Sequence, residues 1–293
     1  SKQRLDVAPG TKGKCFDSTA SVSDMGNITY RWKMNDLITG KVTDLPKETA
    51  ATLNLDNYTA KTGAWQFICT ATNTRSDGKT ASAEQTHELY VSGVTLTADT
   101  LTPTAVIGEN AEVQLTATVI GLRGAKYQWN MTSATGEWTM KEETSGWVDD
   151  DFRIYTATAN VKPTSNTGPV GTAKYSYTPS DASTAQSVSL TLTANVKSFM
   201  VDNTKPIDLT LNSKVPAGTK IAYKGVAPDS WTVADYDGLN TAGITVAKDG
   251  TITGTPTIPG RYHLTVAAAK GGETAAATVC IYVRIPEINE ITS

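Results

Sequence analysis

Apolar and polar residues alternate with period two through much of this chain, and that pattern excludes a fold built on amphipathic helices. Val113, Leu115, Ala117 and Val119 point one way while Gln114, Thr116 and Thr118 point the other. Val188, Leu190, Leu192, Ala194 and Val196 repeat the pattern. About one residue in six is threonine, a β-branched type that suits a pleated, half-buried surface. No stretch of a dozen residues places apolar side chains at i, i+3, i+4 and i+7 between helix caps, so no helix is expected. The Ala-rich segment Val266-Ala267-Ala268-Ala269 is read as a strand too, because Lys270-Gly271-Gly272-Glu273 behind it is a two-residue hairpin signal.

With 293 residues, the chain can hold about three sandwich-sized units of roughly 100 residues each. Leu89-Tyr90-Val91 closes a strand, Ser92-Gly93 turns, and Val94-Thr95-Leu96-Thr97 opens the next, which places a boundary at 92/93. A second boundary follows the long alternating strand, at 198/199. The expected domains are therefore 1–92, 93–198 and 199–293. Neither junction contains a Gly/Ser or Pro tract, so the units are expected end to end with restricted bending. A ten-residue strand spans about 33 Å, and three units in series would make a rod of about 100 Å.

Several classes of partner are disfavoured. Lys plus Arg number 26 against 29 Asp plus Glu, a net charge of −3 that leaves no basic domain to neutralise a phosphate backbone. Nucleic acid is not an expected partner. The longest nearly apolar run, Ala275 to Val283, is far shorter than the ~18 residues of a membrane-spanning helix, so no membrane insertion is expected. Ser1-Lys2-Gln3-Arg4 opens a polar stretch rather than an apolar secretion signal; either such a signal was removed or none was used.

Cys15 on a predicted strand, Trp32 in Ile28-Thr29-Tyr30-Arg31-Trp32, and Cys69 in Phe67-Ile68-Cys69-Thr70 look like the Cys, Trp, Cys order of an immunoglobulin-type sandwich. In that fold the indole packs on two facing cysteines; whether Cys15 and Cys69 are bonded would depend on the redox compartment. Phe67 lacks the hydroxyl of a tyrosine corner. The second unit repeats the plan: Tyr127-Gln128-Trp129 lies 97 residues after Tyr30-Arg31-Trp32, and Leu192 is expected where the later cysteine would fall.

These two units resemble the N-terminal modules of the highly immunogenic outer capsid (Hoc) proteins of T4-like bacteriophages. The resemblance is carried by Thr29-Tyr30-Arg31-Trp32, Ala71-Thr72-Asn73-Thr74 with Ser76-Asp77-Gly78, Ala105-Val106-Ile107-Gly108 and Ala125-Lys126-Tyr127-Gln128-Trp129. It implies a monomeric, non-enzymatic protein on the outer capsid surface of the virion, made in host cytoplasm. It further implies attachment to the phage major capsid protein through a C-terminal domain not found in this chain, and weak contact with host-surface carbohydrate. The third unit, with Ala247-Lys248-Asp249-Gly250-Thr251-Ile252-Thr253-Gly254-Thr255-Pro256, is similar to cadherin-like Ig modules of bacterial surface proteins and carbohydrate-active enzymes. That likeness supplies the alternative of an adhesin stalk or an accessory carbohydrate-binding set. Either way the expected fold class is all-β: three tandem immunoglobulin-like β-sandwich domains in a linear array.

No catalytic, cofactor-binding or metal-binding residue is assigned, and no cofactor is expected. His87 and His263 are the only histidines and are read as solvated strand residues. The cysteines and histidines have no metal-ligand spacing. Asp149-Asp150-Asp151 is the one concentrated carboxylate run, and a solvated loop is preferred there over a calcium site. Trp138, Trp147 and Trp231 could stack on sugar rings, but core or loop packing is the preferred reading.

Overall fold

The computed structural model describes residues 2–22, 26–122, 124–143, 146–147, 152–179 and 185–286. Among them every regular element is a β-strand, and the buried apolar residues fall into three large clusters, each drawn from one continuous stretch of chain.

The first stretch contains β1 (Arg4–Val7), β2 (Cys15–Asp17), β3 (Asn27–Asp36), β4 (Val42–Leu45), β5 (Thr52–Asn54), β6 (Gly63–Thr74) and β7 (Thr80–Val91). One sheet runs β1-β7-β6-β3-β4, with β1 parallel to β7, and the short pair β2-β5 packs over it. Trp32 on β3 stands opposite Cys69 on β6, and both are buried with Phe16, Leu53 and Phe67. Cys15 does not join them. On the three-residue strand β2 the middle residue, Phe16, faces the core, so Cys15 is exposed and both cysteines are free thiols. The expected pair of facing cysteines is thus replaced by Phe16, tilted against Phe67 with ring centroids 5.7 Å apart.

The second stretch contains β8 (Gly93–Ala98), β9 (Thr104–Val106), β10 (Ala111–Ile120), β11 (Gly124–Thr135), β12 (Trp138–Glu142), β13 (Gly146–Trp147), β14 (Phe152–Val161), β15 (Val170–Pro179), β16 (Gln186–Thr193) and β17 (Asn195–Lys197). Strands β12-β14-β10-β8 form one sheet, with β13 also on β14, and β11-β15-β16 form the other. β9 pairs in parallel with β17. Val113, Leu115, Ala117 and Val119 all face the core, as their alternation requires, and each large aliphatic among them contributes about 1.5–3 kcal/mol of burial. The residue opposite Trp129 is Tyr175 on β15, at 4.8 Å in an edge-to-face contact, and not Leu192. Leu192 lies one strand further on, opposite Gly171. A larger aromatic partner on β15 fills the space that a thiol fills beside Trp32.

The third stretch contains β18 (Phe199–Val201), β19 (Ile207–Thr210), β20 (Tyr223–Gly225), β21 (Ser230–Asp235), β22 (Ile244–Val246), β23 (Ile252–Gly254), β24 (Gly260–Lys270) and β25 (Glu273–Arg284). Its main sheet is β19-β25-β24-β21, with the pairs β18-β20 and β22-β23 beside it. The hairpin of β24 and β25 closes on Lys270 and Glu273, and Gly271 and Gly272 take φ of 54° and 89°, as a two-residue primed turn requires. At Gly254, φ is 121° and a Cβ would run into the carbonyl oxygen of Gly243 on the neighbouring chain segment. Only glycine fits there.

Side chains bridge the stretches. Ala64, Tyr90 and Ile120 form a fourth, small cluster with Leu37, Ile38 and Ile154, joining the first stretch to the second. Within the first stretch, Arg4 lies 4.3 Å from the ring centroid of this Tyr90. At the next junction Ser198 donates its N–H to the Glu273 carboxylate at 3.1 and 3.2 Å and its hydroxyl to Asn166 at 3.1 Å.

Candidate functional site

One place brings a nucleophile, a base and a thiol together, and it is in the first core. His87 on β7 is fully buried, against the expectation of a solvated histidine. Strand alternation carries it inward with Leu89 and Val91, and its ring stacks on Phe16 at 4.8 Å. Its two nitrogens are satisfied from distant parts of the chain. The Gln3 N–H donates to Nδ1 at 3.2 Å, and Nε2 lies 2.6 Å from the Ser18 hydroxyl. Because Nδ1 accepts, the neutral ring carries its proton on Nε2 and donates it to Ser18. Ser18 also acts on the Cys69 thiol, favouring its charged form.

This polarity is the reverse of a catalytic relay. A base that activates a serine must have a free nitrogen lone pair aimed at the hydroxyl, whereas here the lone pair is engaged by a backbone N–H. Burial pushes the His87 pKa below its ordinary value, assisted by the N-terminal amine and opposed by Asp17. Burial also pushes the Cys69 thiol up, partly offset by Ser18. Both groups are thereby held neutral, the opposite of a thiolate–imidazolium pair. The cluster ties the N-terminal segment and β2 to the main sheet.

The surface above Trp32 offers a different kind of site. A groove of about 850 Å³ runs along β3 and β4, lined by Tyr30, Arg31, Lys33, Asp44, Pro46 and Glu48 among others. Trp32 lies buried beneath it, only 2% exposed, and donates its indole N–H to the Ala50 carbonyl at 2.9 Å, fixing the loop that follows β4 as one wall. Lys33 and Asp44 approach to 3.9 Å, both more than half exposed, so they contribute little to stability and remain available to a ligand. Donors and acceptors of both signs along the groove suit a neutral, hydroxyl-rich ligand better than an anion, while buried Trp32 presents no ring face to it.

The other residues singled out from the sequence are dispersed. Trp138 and Trp231 are each 5% exposed and pack in the second and third cores, so neither presents a face to a sugar. The side chain of Trp147 and the run Asp149, Asp150, Asp151 lie outside the described residues. His263 is about half exposed and 3.6 Å from Asp237, in line with the expectation for it. Among the described residues no group of three or more His, Cys, Asp or Glu is placed to hold a metal ion, and no helix is long and apolar enough to cross a membrane. Sequence reasoning missed the His87 cluster because its partners lie 69 and 84 residues away along the chain. Compared with models of protein families and with curated proteins, the chain matches none.

Proposed function

We propose that the chain is a non-enzymatic display rod of three tandem immunoglobulin-like modules, of the kind that decorates a phage capsid and makes weak, multivalent contact with host-surface carbohydrate. The observation that carries this reading is the serial arrangement of the cores: each large cluster is closed within its own stretch, and the first two stretches meet through the apolar contact of Ala64, Tyr90 and Ile120. Strand order supports the module type. The sheets β12-β14-β10-β8 and β11-β15-β16 follow the D-E-B-A and C-F-G order of a constant-type immunoglobulin sandwich. The main sheets of the first and third stretches share one plan, with a parallel first strand on the last strand. The non-enzymatic part rests on the His87–Ser18–Cys69 cluster, whose proton placement leaves no activated nucleophile.

Carbohydrate contact is assigned to the groove over Trp32. A single shallow groove of this kind binds weakly, and many copies on one particle convert weak contacts into avidity. A glycan array probed with particles bearing the protein tests this: signal above bare particles that falls with Arg31→Ala is expected, and no signal above bare particles removes the carbohydrate contact. Antibody labelling of intact virions should find the protein on the outer surface; its absence there removes the capsid placement. The bacterial surface alternative draws on the third stretch, where the Asp249-Gly250 turn joins β22 to β23 and Gly254 closes on Gly243. Labelling of bacterial cells in place of virions would favour it.

A further inference from the structure

We infer that the free edge of β7, residues 80–86, is a pairing surface for the same edge of a second copy, joining two chains antiparallel into one continuous sheet. β1 pairs only with Glu88–Val91, so among the described residues the strand from Thr80 to Thr86 has a paired neighbour, β6, on one side alone. An unpaired edge of this length is normally blunted by lysine, proline, a bulge or a cover. Three other outer strands carry such devices. β4 bears Asp44 and is followed by Pro46, β12 bears Lys141 and Glu142, and β21 has a bulge between Val233 and Asp235. The corresponding part of β25 in the third stretch is covered from the side, by Ser198 on Glu273 and by Asn203, whose amide donates to the Thr278 carbonyl at 3.3 Å.

Among the described residues, the edge of β7 from Thr80 to Thr86 has no lysine, proline or bulge and no strand paired to its open side. Its one charged residue, Glu84, is drawn back over its own sheet by the Thr70 hydroxyl at 3.0 Å, and Ser82 is drawn back by Thr72 at 2.8 Å. Ala81 and Ala83 are too small to obstruct an approaching backbone. The sequence Thr80-Ala81-Ser82-Ala83-Glu84-Gln85-Thr86 is also suited to itself. A two-fold axis at Ala83 sets Thr80 against Thr86, Ala81 against Gln85 and Ser82 against Glu84. Like charges therefore never face one another, and Thr–Thr pairs of the favourable cross-strand kind close both ends. The gap has room for this seven-residue strand, bounded by the 75–79 turn at one end and the start of β1 at the other.

One seven-residue ladder is smaller than the roughly 1,200–2,000 Å² of a stable interface, so the dimer is weak and forms where copies are concentrated. This inference concerns a different face from the carbohydrate groove and does not depend on it. Sedimentation equilibrium on the full chain should show monomer at about 1 μM and a dimer fraction rising between about 10 μM and 1 mM. Ala83→Lys sets two ammonium groups across the axis; it should abolish the dimer without moving the thermal midpoint, since Ala83 is exposed. In a Cys15→Ser, Cys280→Ser background, Ala83→Cys should cross-link on oxidation, because directly opposed antiparallel residues lie about 4.5–5.5 Å apart at Cα, within disulfide reach. Monomer throughout that range, a dimer indifferent to Ala83→Lys, or a dimer that Ala83→Cys does not cross-link overturns the inference.

Discussion

Acidification should loosen the first core through His87. The neutral ring accepts the Gln3 N–H at Nδ1 and donates to Ser18 from Nε2; a second proton would sit on Nδ1 and face the Gln3 N–H donor to donor. Among the described residues the charged group acting on it is Asp17 on β2, and burial outweighs the attraction of Asp17. The folded-state pKa therefore lies below the unfolded one, near 6.5. Stability is fully present above about pH 6.5 and declines as the pH falls, because only the unfolded chain takes up the proton readily. One such group gives a slope of at most about 1.4 kcal/mol per pH unit, so the decline between pH 6.5 and 5 is bounded at about 2 kcal/mol. Asp17 and Asp249, whose pKa values are lowered, the latter to about 2, titrate below this window and lose their own contribution only there. Urea unfolding followed by tryptophan fluorescence, with Trp32 at 5.8 Å from the ring as reporter, should be flat in this respect from pH 8 to about 6.5 and show the slope from there to pH 5. His87→Gln should be less stable at pH 8 but lack the slope; His263 is present in both proteins and cancels. Parallel pH profiles for the two proteins would refute the reasoning.

Further outcomes follow from single positions. Gly254→Ala should destabilise the third stretch by about 2–3 kcal/mol, read as a lowered denaturation midpoint, because it adds a Cβ at positive φ against the Gly243 carbonyl. A thiol reagent should modify exposed Cys15 rapidly in the native protein and buried Cys69 only on unfolding; equal protection of the two would contradict the placement of Phe16. Among the described residues the buried Tyr175 hydroxyl has no hydrogen-bond partner, so Tyr175→Phe should be neutral or stabilising by up to about 1 kcal/mol in urea titration. Trp231→Ala should cost about 3–5 kcal/mol of stability while leaving any glycan-array signal of the folded protein unchanged.

The all-β class was legible because alternation and turn chemistry are local. Val113 to Val119 needed only their own spacing, and Gly271-Gly272 and Asp249-Gly250 announced their hairpins with the residues those turns require. The equivalence of Trp32 and Trp129 was legible too, since both sit buried on strands paired with a core residue. What escaped was phase and partner. A strand of three residues such as β2 contains too little alternation to decide between Cys15 and Phe16. Leu192 lies on an alternating apolar strand but much further from Trp129 than Cys69 lies from Trp32; the strands intervening between Trp129 and its partner differ in length from those of the first stretch, and Tyr175 takes the place. His87 looked like a surface histidine because nothing near it in sequence shows that Gln3 and Ser18 will complete its hydrogen bonds. The groove over Trp32 likewise arises from how the loop after β4 folds back to Ala50.

Small-angle X-ray scattering tests the central claim of three cores in series most directly. Three modules of about 33 Å end to end give a rod near 100 Å and a radius of gyration of about 30 Å. A single compact body of this length would have about 19 Å. A radius near 30 Å with a maximum dimension near 100 Å is the expected result; a value near 19 Å with a symmetric distance distribution would contradict it.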